Sequence, residues 1–195
     1  MVLKEANFMA KKQKRNNRRS FKDSIKYLKK EEWDKLRGSI DSYRDKLIVT
    51  LLYSTGMRVG EFTKLKVQNL DFEERFIRIP PENTKTRERR TIFVPREVLN
   101  DIKAYLKLEK RKKGRIFNLS TRRIQQLLKK YSSRAGVDAT PHTLRHTHIV
   151  HSLLNKVPIT AVQKQVGHKR LATTQIYSDL APEQVREAYE KIARY

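Results

Sequence analysis

The stretch FEERFIRIPPENTKTRERRTIFVP, residues 72–95, decides the fold class, because the helical periodicity seen elsewhere in the chain stops here. Phe76, Ile77 and Ile79 precede a pair of prolines, and a second apolar run over residues 91–94 ends at Pro95. Short aromatic and β-branched runs bounded by prolines are typical of strands. The charged residues 82–90 predict a turn between them. We therefore predict two strands of a small antiparallel sheet.

Apolar residues recur at helical spacing on both sides of this stretch. Stripes of this kind occur at residues 47–52, 98–106 and 124–131. A short helix is predicted over residues 29–39, Asp41 is predicted to cap the next helix, and Pro141 to open another at its first turn. Further helices are predicted over residues 158–166, 170–178 and after Pro182. The predicted fold is mainly α with a small antiparallel β-sheet (α+β).

The charge balance predicts a polyanionic partner. The 195 residues include 45 Lys plus Arg against 21 Asp plus Glu, a formal net charge of +24. Cations that neutralise phosphates release condensed counterions, so nucleic acid is the first candidate and an anionic membrane surface the second. Residues 1–20 carry many of these cations and few apolar residues, and we predict a flexible basic arm there. Residues 21–195 are predicted to form one domain.

Several classes of protein are excluded by composition. The chain has no cysteine, which removes disulfides, thiol catalysis and Cys-ligated zinc. No run approaches the roughly 18 apolar residues of a membrane span, and no apolar signal segment stands at the N-terminus. A phosphate loop of the form GxxxxGK[ST] is also missing. We expect a cytoplasmic protein without nucleotide hydrolysis.

The residues that could perform chemistry are cations and histidines. His142 and His146 are spaced as zinc ligands on a helix, but no HExxH pattern and no nearby acidic ligand supports a metal site. His142 and Arg145 share a helix face instead. Arg58 stands two residues after Gly56 at a predicted helix start, His168 follows a glycine at a tight turn, and Lys85 lies in the charged turn.

Together these segments resemble a known family. STGMRVGE (residues 54–61), TKT (84–86), PHTLRHT (141–147) and VGH (166–168), followed by Tyr177, are similar to the catalytic domain of the tyrosine recombinases, the phage-integrase family. Each segment is weak alone, but the order Arg, Lys, His-x-x-Arg, His, Tyr is complete. The resemblance covers about residues 21–195 and implies the tyrosine recombinase catalytic-domain fold.

The resemblance implies a role for each residue. Arg58 and Arg145 would bind the non-bridging oxygens of one DNA phosphate, and His168 would add a hydrogen bond. Tyr177 would attack the phosphorus, His142 would act as acid or base, and Lys85 would protonate the departing 5′ oxygen. A further acidic position, Glu61, would support the site by holding its cations. No metal and no other cofactor is implied, because cationic side chains carry the charge.

Partners and alternatives follow from the same resemblance. Family members usually carry a separate core-binding domain, and here only the basic arm is expected before the catalytic domain. Either the arm replaces that domain or the chain is a fragment of a longer protein. The C-terminal helix would either pack on its own domain or link protomers on double-stranded DNA, as in a tetramer. A nucleoid-associated site-specific recombinase or integrase is predicted. A type IB topoisomerase and a non-catalytic DNA-binding remnant stay open as alternatives, and the target site, the biological reaction and cleavage in cis or trans are left undetermined.

Overall fold

Helix α2 (Tyr43–Thr55) lies at the centre of the molecule, because apolar residues occur around most of its circumference. In the computed structural model, which describes residues 26–84 and 88–168, α2 packs against three other helices, α1 (Lys30–Gly38), α4 (Arg96–Leu108) and α6 (Pro141–Leu154). The helices within these ranges are α1 (Lys30–Gly38), α2, α3 (Val59–Phe62), α4 (Arg96–Leu108), α5 (Thr121–Ala135), α6 (Pro141–Leu154) and α7 (Ile159–Val166). The mainly α architecture predicted from sequence is confirmed.

The sheet has three antiparallel strands in the order β1-β2-β3. They are β1 (Leu70–Asp71), β2 (Phe76–Ile79) and β3 (Arg90–Phe93), so both predicted strands form and β1 is an addition. Ile77 lies opposite Ile92, and Ile79 lies opposite Arg90. Side chains alternate across a strand, so Arg90 and Ile92 point to the same, buried face. The third strand was missed because two residues are too few to show alternation.

Most of the core forms one cluster between α1, α2, α4, α5 and the sheet. A second, smaller cluster joins α6 to α7 through Ile149, Val150, Leu153, Val162 and Val166. Helix α7 also contacts β3. The end of α7 is therefore fixed from two sides, by α6 and by the sheet.

Two local predictions are wrong. Asp41 does not cap α2: Ser42 does, and its side chain accepts a hydrogen bond from the Asp45 backbone N–H at 3.4 Å. Asp41 instead accepts hydrogen bonds from Tyr131 and Arg134. The short helix that the sequence predicts over residues 59–65 is α3, and it is shorter, ending at Phe62. The predicted arm, residues 170–178 and the predicted helix after Pro182 lie outside the described residues.

Helix ends gather at one side of the fold. Helix α2 ends at Gly56, α3 begins after Arg58, α6 begins after Thr140, and α7 ends at Gly167. The Thr140 hydroxyl caps α6 by accepting a hydrogen bond from the Thr143 N–H at 3.1 Å, as favoured at this position. Gly56 and Gly167 have φ angles of 59° and 69°, which permit the sharp exits of the two helices. Within the described ranges, every helix is too short or too polar to span a bilayer.

Candidate active site

Two adjoining hollows lie where these helix ends meet. The first, about 400 Å³, is lined by residues from α3, the β2–β3 connection and the start of α6, among them Arg58, Glu61, Thr84, His142 and Arg145. The second, about 500 Å³, extends over β3 and the end of α7 and includes His168. Arg58, Glu61 and Thr84 line both hollows, which therefore form one cleft. Five of the seven site residues named from the sequence border it.

Arg58 stands at the N-terminus of α3. Its backbone N–H donates to Glu61 Oε2 at 2.9 Å, and its Nη1 lies 3.4 Å from Glu61 Oε1. Nη2 donates to the Gly167 carbonyl at 3.4 Å. The Arg58 side chain is 32% exposed, so part of the guanidinium faces the cleft. This geometry suits a group that must be held firmly and still meet a ligand.

Arg145 is almost fully buried, with 5% exposure. Its Nη1 donates to the Gly56 carbonyl at 2.6 Å and its Nη2 to the Val166 carbonyl at 2.7 Å. These two bonds tie the first turns of α6 to the ends of α2 and α7. Because Val166 and Gly167 are consecutive, Arg145 and Arg58 are anchored on neighbouring carbonyls at the end of α7.

Glu61 is the acidic centre of the cleft, with a side chain only 2% exposed. It pairs with Arg58 on one side and with Arg90 on the other, where Arg90 Nη2 lies 3.1 Å from Oε2. A buried carboxylate is stable as an anion only when its charge is matched. Glu61 therefore pairs with two cations.

The two predicted site histidines occupy different environments. His142, in the first turn of α6, is exposed beside Arg145 in the first hollow. His168 follows α7, and burial together with Arg145, Arg58 and Arg90 lowers its pKa to about 4. At neutral pH its ring is therefore uncharged, with one nitrogen able to donate a hydrogen bond and the other able to accept one.

Two predicted residues, Lys85 and Tyr177, lie outside the described residues. The flanks of Lys85 are described on both sides. Thr84 lines the cleft, and its hydroxyl accepts from the Glu88 N–H at 3.1 Å and donates to the Glu88 carbonyl at 3.0 Å. These two hydrogen bonds join Thr84 to Glu88 across the β2–β3 connection, next to the cleft.

Arg90 is the main residue that the sequence interpretation missed. It is the first residue of β3, its side chain is 11% exposed, and it pairs with Glu61 within the cleft. Along the sequence it is one charge among several in the predicted turn over residues 82–90. The signal that could have identified it is alternation: Arg90 precedes the buried Ile92 by two positions, so it must share the inward face.

No role is predicted for His148 from the sequence. Its ring packs against the Cα of Gly56, and burial lowers its pKa to about 4. His151 accepts or donates a hydrogen bond with the Tyr53 hydroxyl at 2.9 Å on the far side of α6. Among the described residues, no three His, Asp or Glu side chains are grouped as metal ligands would be.

Comparison with known proteins places this cleft in a family. The chain matches the phage integrase family over residues 26–184. It is 38% identical over 178 residues to the tyrosine recombinase XerA of Pyrococcus furiosus, covering 85% of this chain and 61% of the relative. The chain belongs to the phage integrase family. It spans about 61% of the length of that XerA.

Solved structures share the fold. A crystal structure of XerA recombinase superposes with a TM-score of 0.70 at 31% identity, over 85% of this chain and 64% of that one. The catalytic domain of bacteriophage HP1 integrase gives 0.68 at 24% identity, over 85% and 94% of the two chains. XerH bound to its difH substrate in a post-cleavage complex gives 0.72 at 22% identity, over 85% and 52%. The fold is that of tyrosine recombinase catalytic domains.

Proposed function

We propose that this chain is the catalytic part of a tyrosine-type site-specific DNA recombinase, which cleaves and rejoins strands through a covalent 3′-phosphotyrosyl intermediate. The observation that carries the proposal is the pair Arg58 and Arg145, anchored on the adjacent carbonyls of Gly167 and Val166 at the wall of one cleft. Two guanidinium groups held on neighbouring carbonyls in one cleft suit the two non-bridging oxygens of a phosphodiester. Such preorganised donors stabilise charge that develops in the transition state.

The remaining roles are assigned by matching residues to the family's order. The Tyr177 oxygen attacks phosphorus and forms a new P–O bond while the bond to the 5′ oxygen breaks. His142 takes the phenol proton, and Lys85 gives a proton to the departing 5′ oxygen. Neutral His168 donates a hydrogen bond to the phosphate. A phenol with its ordinary pKa of about 10 needs such a base and a cationic site to react at neutral pH.

No ATP enters this scheme, because the phosphotyrosyl bond retains the energy of the phosphodiester. Attack by the free 5′ hydroxyl of a second strand reverses the first step and restores the tyrosine. The charge stabilisation comes from arginines, which remain protonated at any physiological pH. The reaction is therefore expected to proceed in EDTA.

The partners follow from the same proposal. XerH and the Tn1549 transposon integrase, which share this fold, have been solved in complex with DNA. We propose that this chain binds double-stranded DNA, with residues 1–20 as a basic arm, and that it works beside chromosomal DNA in the cytoplasm. The helix predicted after Pro182 would link protomers into a tetramer on the site. Light scattering of the protein, alone and on DNA, tests that assembly.

The function is tested by trapping the covalent adduct. The full chain is incubated in EDTA with a supercoiled plasmid library that carries genomic fragments of the source organism. Denaturant stops the reaction, and protein-linked DNA is recovered and sequenced. We expect adducts concentrated on one sequence, with protein on the 3′ end and a free 5′ hydroxyl.

Two variants make the test specific. Tyr177→Phe should bind DNA and form no adduct, whereas Tyr43→Phe should form the normal amount. Tyr43 is a suitable control because it is exposed and donates to the Asp101 carbonyl at the opposite end of α2 from the cleft. An undiminished adduct with Tyr177→Phe would refute the assignment of the nucleophile. Adducts at random positions with plasmid relaxation would indicate a type IB topoisomerase, and binding without adducts a non-catalytic remnant.

A further inference from the structure

Arg90 contacts one partner of each of the two arginines proposed to bind phosphate. Its Nη1 donates to the Val166 carbonyl at 2.7 Å, the same oxygen that receives Arg145 Nη2 at 2.7 Å. Its Nη2 lies 3.1 Å from the carboxylate of Glu61, which also pairs with Arg58. The Val166 carbonyl oxygen has two lone pairs and can accept from both arginines at once, whereas Arg90 Nη2 contacts Glu61 as an ion pair without hydrogen-bond geometry.

The backbone at the end of α7 lies directly on this side chain. Gly167 has a φ of 69°, and a Cβ at that position would collide with the Arg90 guanidinium. The glycine therefore permits two things here: the left-handed exit from the helix and the close approach of Arg90. If Arg90 moved, the carbonyls of Val166 and Gly167, which anchor Arg145 and Arg58, would lose a contact that fixes their position.

Burial of the Arg90 guanidinium costs desolvation free energy, which its contacts must offset. Burial lowers its pKa, while the carboxylate of Glu61 opposes the effect. A position that only filled space on the inner face of β3 would be served by an apolar side chain, as at Ile92, without the cost of desolvating a charge. Cations outnumber carboxylates in the lining of the cleft, and Arg90 adds to this excess.

We infer that Arg90 is a positioning residue that holds Glu61 and the Val166 carbonyl where Arg58 and Arg145 can face one phosphate. The inference rests on the proposed function and adds to it a residue that does not touch the DNA. Small displacements of such anchors can reduce rates by about 100-fold. Arg90→Met, which removes the guanidinium and keeps much of the length, is therefore expected to slow cleavage about 10- to 100-fold.

The first experiment measures cleavage and binding separately. A nicked duplex of the sequence recovered in the adduct assay is mixed with excess full-length protein, and single-turnover adduct formation is followed. Arg90→Met should slow this step while changing DNA affinity less than threefold. Arg134→Met is the matched control with full activity expected, because Arg134 is exposed and pairs with Asp41 away from the cleft. Equal losses of affinity and rate would overturn the inference and make Arg90 a direct DNA contact.

A double-mutant cycle tests whether Arg90 acts through Glu61. Glu61→Gln and Arg90→Met are measured singly and together. If they act through one contact, the double variant should lose no more than the worse single variant. If the loss of cleavage rate in the double variant is instead the product of the two single losses, the inference is overturned. Arg90→Lys, which keeps the charge and can reach one of the two acceptors, should recover at least tenfold over Arg90→Met, and no recovery would count against it.

A second readout does not require cleavage. Inorganic phosphate is titrated into full-length protein with 15N-labelled arginine, and the side-chain Nε–H signals of Arg58 and Arg145 are followed. One shared saturation curve is expected for the parent protein, with at least tenfold weaker binding in Arg90→Met. Unchanged phosphate binding in Arg90→Met would overturn the inference even if the chain forms no DNA adduct. A missing adduct with the parent protein, by contrast, refutes only the proposed function.

Discussion

Gly56 and His148 are in direct contact: a Cβ at position 56 would stand 2.6 Å from His148 Cδ2 and 3.0 Å from Cγ. Real Cβ atoms do not approach other atoms so closely. The contact matters for the cleft because the Gly56 carbonyl is one of the two acceptors of Arg145. His148 on α6 thus fixes the end of α2. The Gly56 carbonyl at that end in turn orients Arg145, which is also on α6.

Gly56→Ala should destabilise the fold and slow cleavage. The substitution strains a φ of 59° and also forces His148 and Val166 to shift. We expect the free energy of unfolding to fall by about 2–4 kcal/mol, the sum of backbone strain and overpacking. Urea titration monitored by circular dichroism measures the loss, and single-turnover cleavage is expected to fall at least tenfold.

Gly136→Ala is the matched control for this prediction. Gly136 also ends a helix, has a φ of 67°, and has nothing within 4 Å of the position that a Cβ would take. The free energy of unfolding of Gly136→Ala should fall only by the contribution of backbone strain, about 1 kcal/mol. The variant should retain cleavage. Equal losses in the two variants would show that the contact with His148 has no energetic consequence.

Arg145→Lys should be nearly as harmful as removal of the charge. One ammonium group cannot replace two guanidinium nitrogens that donate to carbonyls on different helices at 2.6 and 2.7 Å. A buried carbonyl without a donor costs about 1–3 kcal/mol, and cleavage should fall by at least 100-fold. Arg134→Lys, at an exposed ion pair, should change both quantities little. A fully active Arg145→Lys variant would refute the need for a two-pronged anchor.

The sequence was sufficient to predict the fold class and the cleft residues Arg58, Glu61, His142, Arg145 and His168, for physical reasons. Helical stripes and proline-bounded strands depend on neighbours within a few positions, and a family's site order can be read along the chain. Arg90 and His148 could not be recognised in this way. Their roles depend on contacts with Val166 and Gly56, far away in sequence, and a charged or imidazole side chain gives no local sign that it is buried.

Stability should fall as the pH is lowered from about 6.5 to 4. His148 has a pKa of about 4 in the folded state, because burial disfavours its charged form, whereas an unfolded histidine titrates near 6.5. Between these values the unfolded chain binds more protons, so acid favours unfolding. His168 changes in the same direction. The expected loss is about 1–3 kcal/mol, measured by urea titration at pH 7 and pH 4.5.

His148→Gln separates this histidine from the other acid-sensitive groups. Glutamine keeps a donor and cannot titrate, so the variant should be less stable at pH 7 and lose less stability between pH 7 and 4.5 than the parent. The parent and the variant should differ in the stability that they lose between pH 7 and 4.5. That difference is the contribution of His148. An identical slope in the variant would show that the His148 ring is not responsible for the acid sensitivity.

Tyr131→Phe should lower stability without affecting cleavage. The Tyr131 hydroxyl donates to Asp45 and Asp41 at 3.1 Å each, and burial beside these carboxylates raises its pKa to about 12. Removal of the hydroxyl leaves the buried Asp45 with Arg44 as its charged partner. We expect a loss of about 1–3 kcal/mol. A cleavage defect at a temperature where the variant is fully folded would contradict the separation of this contact from the cleft.

The predicted basic arm should contribute to DNA affinity through charge rather than shape. Residues 1–20 contain Lys4, Lys11, Lys12, Lys14, Arg15, Arg18 and Arg19, and each cation that neutralises a phosphate adds about 0.9 to the slope of log affinity against log salt concentration. Replacing all of them with glutamine in the full chain should therefore reduce the slope by several units and weaken binding most at low salt. Fluorescence anisotropy of a labelled duplex across a series of NaCl concentrations measures both effects. The cleavage rate at saturating protein should stay within about threefold, since the arm is not proposed to touch the scissile phosphate. An unchanged slope of log affinity against log salt concentration would show that these cations do not contact DNA. A lost cleavage rate with an unchanged slope would indicate a role for the arm in the cleft itself.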